Sequence, residues 1–162
     1  MMGVAMGKQQ TGTKLVAQNR KARHEFLIED TYEAGMVLLG TEVKSLRSAH
    51  CSLDEAYARP QGSEVFLYDM HIPPYEQAAI QNHEPTRPRK LLLHGREIER
   101  IASQCAQRGY TLIPLRVYFK EGKAKVEIAL ARRRRQWDKR GKKAAEERRR
   151  EARSHVGRRA ER

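Results

Sequence analysis

Residues 1–18 show no traceable apolar period and are expected to form a flexible arm. From His24 the pattern changes. FLIEDTYEAGMVLLG carries two apolar runs, residues 26–28 and 36–39, separated by polar residues and Gly35, which suggests a pair of strands. TEVKSLRSA offers Thr41 as a cap with Val43 and Leu46 three apart, enough for one or two helical turns. AYARPQGSEVFLYDMHI reads as a hairpin turning at Pro60-Gln61-Gly62-Ser63. In its second strand Val65, Leu67 and Asp69 fall on one face, and Phe66, Tyr68 and Met70 on the other.

Four of the six prolines lie in PPYEQAAIQNHEPTRPRK, so this stretch is expected to be a loop outside the sheet ladder. Leu91, Ile98, Ile101, Ala102 and Cys105 then recur at helical spacings, with Gly109 as the stop. TLIPLRVYFKEGKAKVEIALA is the clearest hairpin. Ile113, Leu115, Val117 and Phe119 share one face, Val126, Ile128 and Leu130 share a face of the partner strand, and Glu121-Gly122 makes the turn. Six short strands with about three helices, one of them long, predict a mainly β fold, an OB-like antiparallel barrel with a helix over an open end. The expected organisation is an arm over 1–18, the barrel over 19–131 and a basic tail over 132–162.

Charge changes this picture at one end. The formal net charge is +13. From Ala131 onward fifteen Lys/Arg face five Asp/Glu, so most of the excess sits in the tail. Nucleic acid is the commonest polyanion for such a segment. A membrane surface fits less well, because the tail lacks an apolar face. Its large apolar residues are few, so it is expected to be disordered when free, with helix formers that would allow a helix on a partner. MMGVAMGKQQ has no apolar core of signal-peptide length, and a reduced, cytoplasmic protein is expected.

Enzyme signatures are missing: the sequence has no phosphate-cradling glycine loop, no G-x-S-x-G, no H-E-x-x-H and no paired-cysteine metal site. Only His50-Cys51 sets two soft ligands together, and Cys51 reads more simply as a small apolar residue. Glu29, Asp30 and Glu33 leave three readings open: a Mg²⁺ or acid–base site, pairing with nearby cations, or acceptance of base N–H or ribose hydroxyl hydrogens. Arg87, Arg89 and Lys90, in a proline-stiffened loop, are candidates to hold phosphates.

Six collinear blocks now matter together: NRKARHEF (19–26), IEDTYEAG (28–35), GTEVKSLR (40–47), MHIPPYE (70–76), PTRPRKLLLH (85–94) and WDKR (137–140). They resemble the SsrA-binding protein (SmpB) family over residues 19–143. The resemblance implies a six-stranded OB-like barrel with three helices and a basic tail. It also implies a non-catalytic role without cofactor or metal: binding the tRNA-like part of transfer-messenger RNA and delivering it to stalled bacterial ribosomes for trans-translation. Residue by residue, it implies RNA binding by Asn19, Glu33, Leu92 and Lys125, and charge and position add Arg20, Lys21, Arg87, Arg89 and Lys90 as expected phosphate contacts. Asp138, Lys139 and Arg140 would act in the decoding centre and empty mRNA channel, with Trp137 stacking beside them. Arg133 stands where the family commonly has a glycine. The free protein is expected to be a monomer. Two competing readings are another basic OB-type ribosomal or translation-factor module, and an RNA-processing enzyme built on Glu29, Asp30 and Glu33.

Overall fold

The closing hairpin organises the sheet. Glu121 (φ +52°) and Gly122 (φ +78°) both take left-handed backbone, as a two-residue turn matched to strand twist requires. Lys120 therefore faces Lys123, and two long strands pair outward from that turn. The structure is a computed structural model and describes residues 12–48, 50–78, 81–134 and 145–153. Its strands are β1 (Thr13–Gln18), β2 (Phe26–Met36), β3 (Tyr57–Gln61), β4 (Glu64–Tyr68), β5 (Arg89–Leu92), β6 (Tyr110–Lys120) and β7 (Lys123–Arg133). Its helices are α1 (Ala22–Glu25), α2 (Gly40–Ser48), α3 (Gly95–Cys105) and α4, residues 145–153.

Strand order is β1-β6-β3-β4-β5-β2-β7, and β7 returns to β6. Six strands thus close into an antiparallel, OB-like ring, with β1 added on the free edge of β6. Closure removes exposed edges, which would otherwise template association. The seam is thinnest between β3 and β6, where Ala58 and Leu112 form the single pair, and α3 packs there against β3, β6 and β7. Ile101 of α3 is fully buried. Val65, Leu67, Leu91, Leu112, Val117, Val126 and Ile128 fill the interior, and Ala22 of α1 covers a smaller outer cluster of Ile113, Leu115, Ala129 and Ala131.

Several expectations change. Residues 26–36 form one strand and not two strands paired with each other; a bulge between Ile28 and Asp30 carries the ladder past the polar stretch, and β2 pairs with β5 and β7. Thr13–Gln18, read as part of the arm, pairs with β6. Ile113 and Leu115 do not share a face with Val117 and Phe119. A bulge between Pro114 and Arg116 reverses the alternation, sending the first two to the outer cluster and the others inward. Asp69, at φ +58°, ends β4 and turns Met70 into the core. Leu91 belongs to β5 and not to the long helix, which begins at Gly95. Arg89 and Lys90 join the ladder with β4 instead of lying in the loop. The β3–β4 turn narrows to Gly62 (φ +60°) and Ser63, leaving Pro60 and Gln61 in β3.

Candidate nucleic-acid interface

Four residues expected at the site, Glu33, Lys90, Leu92 and Lys125, line one open hollow of about 520 Å³ between β2, β5, β7 and the start of α3. Period-two alternation explains the convergence. Ala34 and Met36 point into the ring, so Glu33 and Gly35 face out, and register sets Gly35 opposite Leu92 on one side and Lys125 on the other. Gly35 is needed here for space: a Cβ would sit 3.3 Å from Leu92 Cβ and 3.7 Å from Lys125 Nζ. Leu92 is 53% exposed, and Lys90 pairs with Glu64 at 2.9 Å on the rim.

Glu33 is held in place from below. Tyr118 Oη donates to its Oε2 at 2.5 Å, and Lys120 Nζ lies 3.4 Å from its Oε1. The Tyr118 hydrogen bond keeps the carboxyl below the usual carboxylate range, against a burial that would raise it and with help from Lys120 and Lys125. Burial, and after it the same contact, push the Tyr118 phenol well above its ordinary value. Arg116 stacks over the Tyr118 ring at 5.1 Å and pairs with Glu127 at 2.9 Å. Tyr118, Arg116 and Lys120 escaped the sequence reading because LRVYFK resembles a core run. Pro114 within the strand was the available signal: a bulge there puts Arg116, Tyr118 and Lys120 on one outer face at period two.

The strip continues to the other expected cations. Asn19, Arg20 and Arg23 border a second hollow with Arg116 and Glu127, and Asn19 and Lys21 border a third beside α1 and Arg133. Arg20 and Lys21 are exposed. Asn19 serves the β6 bulge: its Nδ2 donates to Pro114 O at 3.1 Å and its backbone N–H to Leu115 O at 2.7 Å.

Arg87 and Arg89 are elsewhere. Arg89 is fully buried, so it does not meet a phosphate. It donates to Glu42 Oε2, to Met70 O and, at 3.1 Å, to Pro85 O. Arg87 meets the other oxygen, Glu42 Oε1, at 2.5 Å and reaches Val37 O at 3.3 Å. Glu42, also fully buried, accepts the Leu39 N–H at 2.9 Å. A charge in the interior persists only when partners compensate it, and here two arginines and an amide donate to the carboxylate. This triad ties α2 to β5 and the loop before it.

The acidic run disperses along β2. Glu29 pairs with Arg132 at 3.1 Å and accepts from Tyr110, Asp30 accepts from Tyr32, and Glu33 accepts from Tyr118. No three His, Cys, Asp or Glu side chains gather as a metal site among the described residues. Cys51 is buried, with its thiol pushed up to about 11 by that burial, and Cys105 is half-buried. Trp137, Asp138, Lys139 and Arg140 lie outside the described residues.

A small basic OB-like ring with cation-bordered hollows on its outer strands has the form of a nucleic-acid-binding module. The family model described as SmpB protein matches residues 16–158. An SsrA-binding protein of Acidothermus cellulolyticus is 53% identical, covering 93% of this chain and 94% of its own. One from Roseiflexus castenholzii is 56% identical over 85% of this chain and 87% of its own. A solved structure described as "tmRNA-SmpB: a journey to the center of the bacterial ribosome" aligns with a TM-score of 0.62 and 47% identity, covering 72% of this chain and 82% of that one. The chain belongs to the SmpB family.

Proposed function

We propose that this protein binds the tRNA-like part of transfer-messenger RNA and carries it to stalled ribosomes for trans-translation, acting as a non-enzymatic partner. The observation that carries this reading is the family match over residues 16–158, joined to a solved relative described with that RNA and the ribosome. The outer strip from Leu92 and Glu33 through Arg116 to Arg20 is the RNA surface. Lys125, Lys90, Arg20 and Lys21 offer cations to phosphates, and Glu33 offers a fixed acceptor to base or ribose donors. Asn19 supports the strip through the β6 bulge. Trp137, Asp138, Lys139 and Arg140 act afterwards, in the decoding centre and empty mRNA channel. The protein works in the cytoplasm beside ribosomes, as a monomer until it binds. No helix among the described residues is long and apolar enough to cross a membrane.

Sequencing the RNA that co-purifies from the host tests this directly. Transfer-messenger RNA should be enriched above all other species; enrichment of ribosomal RNA alone would replace the proposal with a ribosomal module. In a gel-shift assay Glu33→Gln should weaken binding to transfer-messenger RNA by about tenfold, as loss of a charged acceptor does.

A further inference from the structure

Three side chains from three neighbouring strands meet where β7 ends. β6 begins at Tyr110, so Arg132 is the last residue of β7 paired on both sides, with Tyr110 and with Leu27 of β2. Its guanidinium lies over the Tyr110 ring, 5.6 Å from the centroid, and its Nε is 3.1 Å from Glu29 Oε1. Tyr110 Oη donates to the same carboxylate oxygen at 3.2 Å. The β2 bulge makes this meeting possible. Ile28 pairs with Ala131 and Asp30 with Leu130, which leaves Glu29 outside the ladder and turned toward Arg132.

None of the three residues borders the hollow around Glu33, and the cluster does little for the fold. The side chains of Arg132 and Glu29 are 51% and 37% exposed, and a pair so open to water contributes little stability. What it can fix is direction. Beyond Arg132 the strand keeps two backbone ties, the pairing of Arg133 with Phe26 and the Arg134 N–H on Glu25 O, and both lie on the β2 side. With support from one side only, this end of β7 is free to swing away from β6 unless side chains hold it. Tyr110 and Glu29 reach Arg132 from both flanks and do so. Five residues of extended chain span at most about 18 Å, so a swing at Arg132 is carried to Trp137 and Asp138 as a displacement of several ångströms.

We propose, resting on the reading above that residues 137–140 act in the decoding centre, that Glu29 and Tyr110 are positioning residues for that step. They clamp Arg132 and so set the direction in which the basic tail leaves the ring. Their contribution belongs to the ribosomal step and not to the binding of transfer-messenger RNA.

Full-length variants are compared by gel shift with transfer-messenger RNA, by chemical denaturation, and by peptide tagging on stalled ribosomes in a reconstituted system. Glu29→Gln should bind the RNA within about twofold of the natural protein and unfold at the same denaturant concentration, while tagging falls about fivefold, the weight of one exposed ion pair. Tyr110→Phe keeps the ring beneath Arg132 and loses only the hydroxyl, so its tagging should fall by less. Glu29→Arg and Arg132→Glu should each lose more tagging than Glu29→Gln. The two combined should tag better than either alone, because the pair re-forms with its signs exchanged. If the combination recovers nothing, Arg132 itself touches the ribosome and the clamp is wrong. Natural tagging by Glu29→Gln would overturn it as well. Parallel loss of RNA binding would put Glu29 on the RNA surface instead, and a lowered denaturation midpoint would make the cluster merely structural. Tagging by a chain ending at Arg134 would strike the underlying reading of the tail, whatever the clamp variants do.

Discussion

Glu42 is the most consequential single residue for stability. It is fully buried with two arginines on its oxygens, and neither Arg87 nor Arg89 pairs with another carboxylate among the described residues. Replacing it by alanine would leave Arg89 buried and uncompensated, so Glu42→Ala should cost about 3–5 kcal/mol in chemical denaturation. Burial alone would raise the Glu42 carboxyl, but the Leu39 N–H, Arg87 and Arg89 outweigh it and hold it below its ordinary value of 4.5. A carboxyl lowered by folding contributes stability that is complete above the unfolded value and lost as pH falls through the folded one. Stability should therefore decline as pH drops below about 4.5. Glu42→Gln, already missing the charge, should show a flatter acid limb in the same titration. At this scale the sequence misled: Arg89 in a proline-rich loop looks like a free cation, and only the fold shows a carboxylate 47 positions away closing on it.

Among the elements, β6 decides what its neighbours present. Its bulge at Pro114 moves Ile113 and Leu115 to the outer cluster and brings Arg116, Tyr118 and Lys120 into line with Glu33. Asn19 holds the carbonyls on either side of that irregularity, so Asn19→Ala should lower stability by about 1 kcal/mol. Its RNA affinity should fall in parallel, and the Asn19→Ala strand signals near Arg116 should shift in NMR. Unchanged signals would leave Asn19 as a direct RNA contact only. The hairpin turn is equally specific. Gly122 sits at φ +78° with open space around it, so Gly122→Ala should cost about 1–2 kcal/mol through backbone conformation alone. Hairpins were legible because turn residues and period two are local. The bulges were far less so: Pro114 marks one of them, but a slip of one residue leaves composition unchanged while it exchanges the faces.

For the whole molecule, the boundary between ring and tail matters. Ala131–Arg133 still belong to β7, facing residues 26–28 of β2, and the Arg134 N–H donates to Glu25 O at 2.8 Å. A chain ending at Arg134 should keep its fold and bind transfer-messenger RNA within a few-fold of the full protein, yet lose peptide tagging on stalled ribosomes. A chain ending at Leu130 should lose about 2 kcal/mol or more of stability as those ladder bonds disappear. Tagging by the shorter of these chains would show that the tail is not the ribosome-acting part. The +13 charge bears on this scale as well: much of it lies beyond β7, so it steers association, while the hollows on the ring supply position.

Strand alternation, turn chemistry and charge are properties of neighbours along the chain, so the class of fold, the basic end and the stretches that match the SmpB family were legible there. Which residues meet was settled by folding in three dimensions. Ring closure put Glu33, Lys90, Leu92 and Lys125 around one hollow from three strands, set Tyr118 beneath the carboxylate, and took Arg89 out of solvent. Those outcomes depend on register and bulges across strands far apart in the chain, and a one-residue change in register turns a surface side chain into a core one.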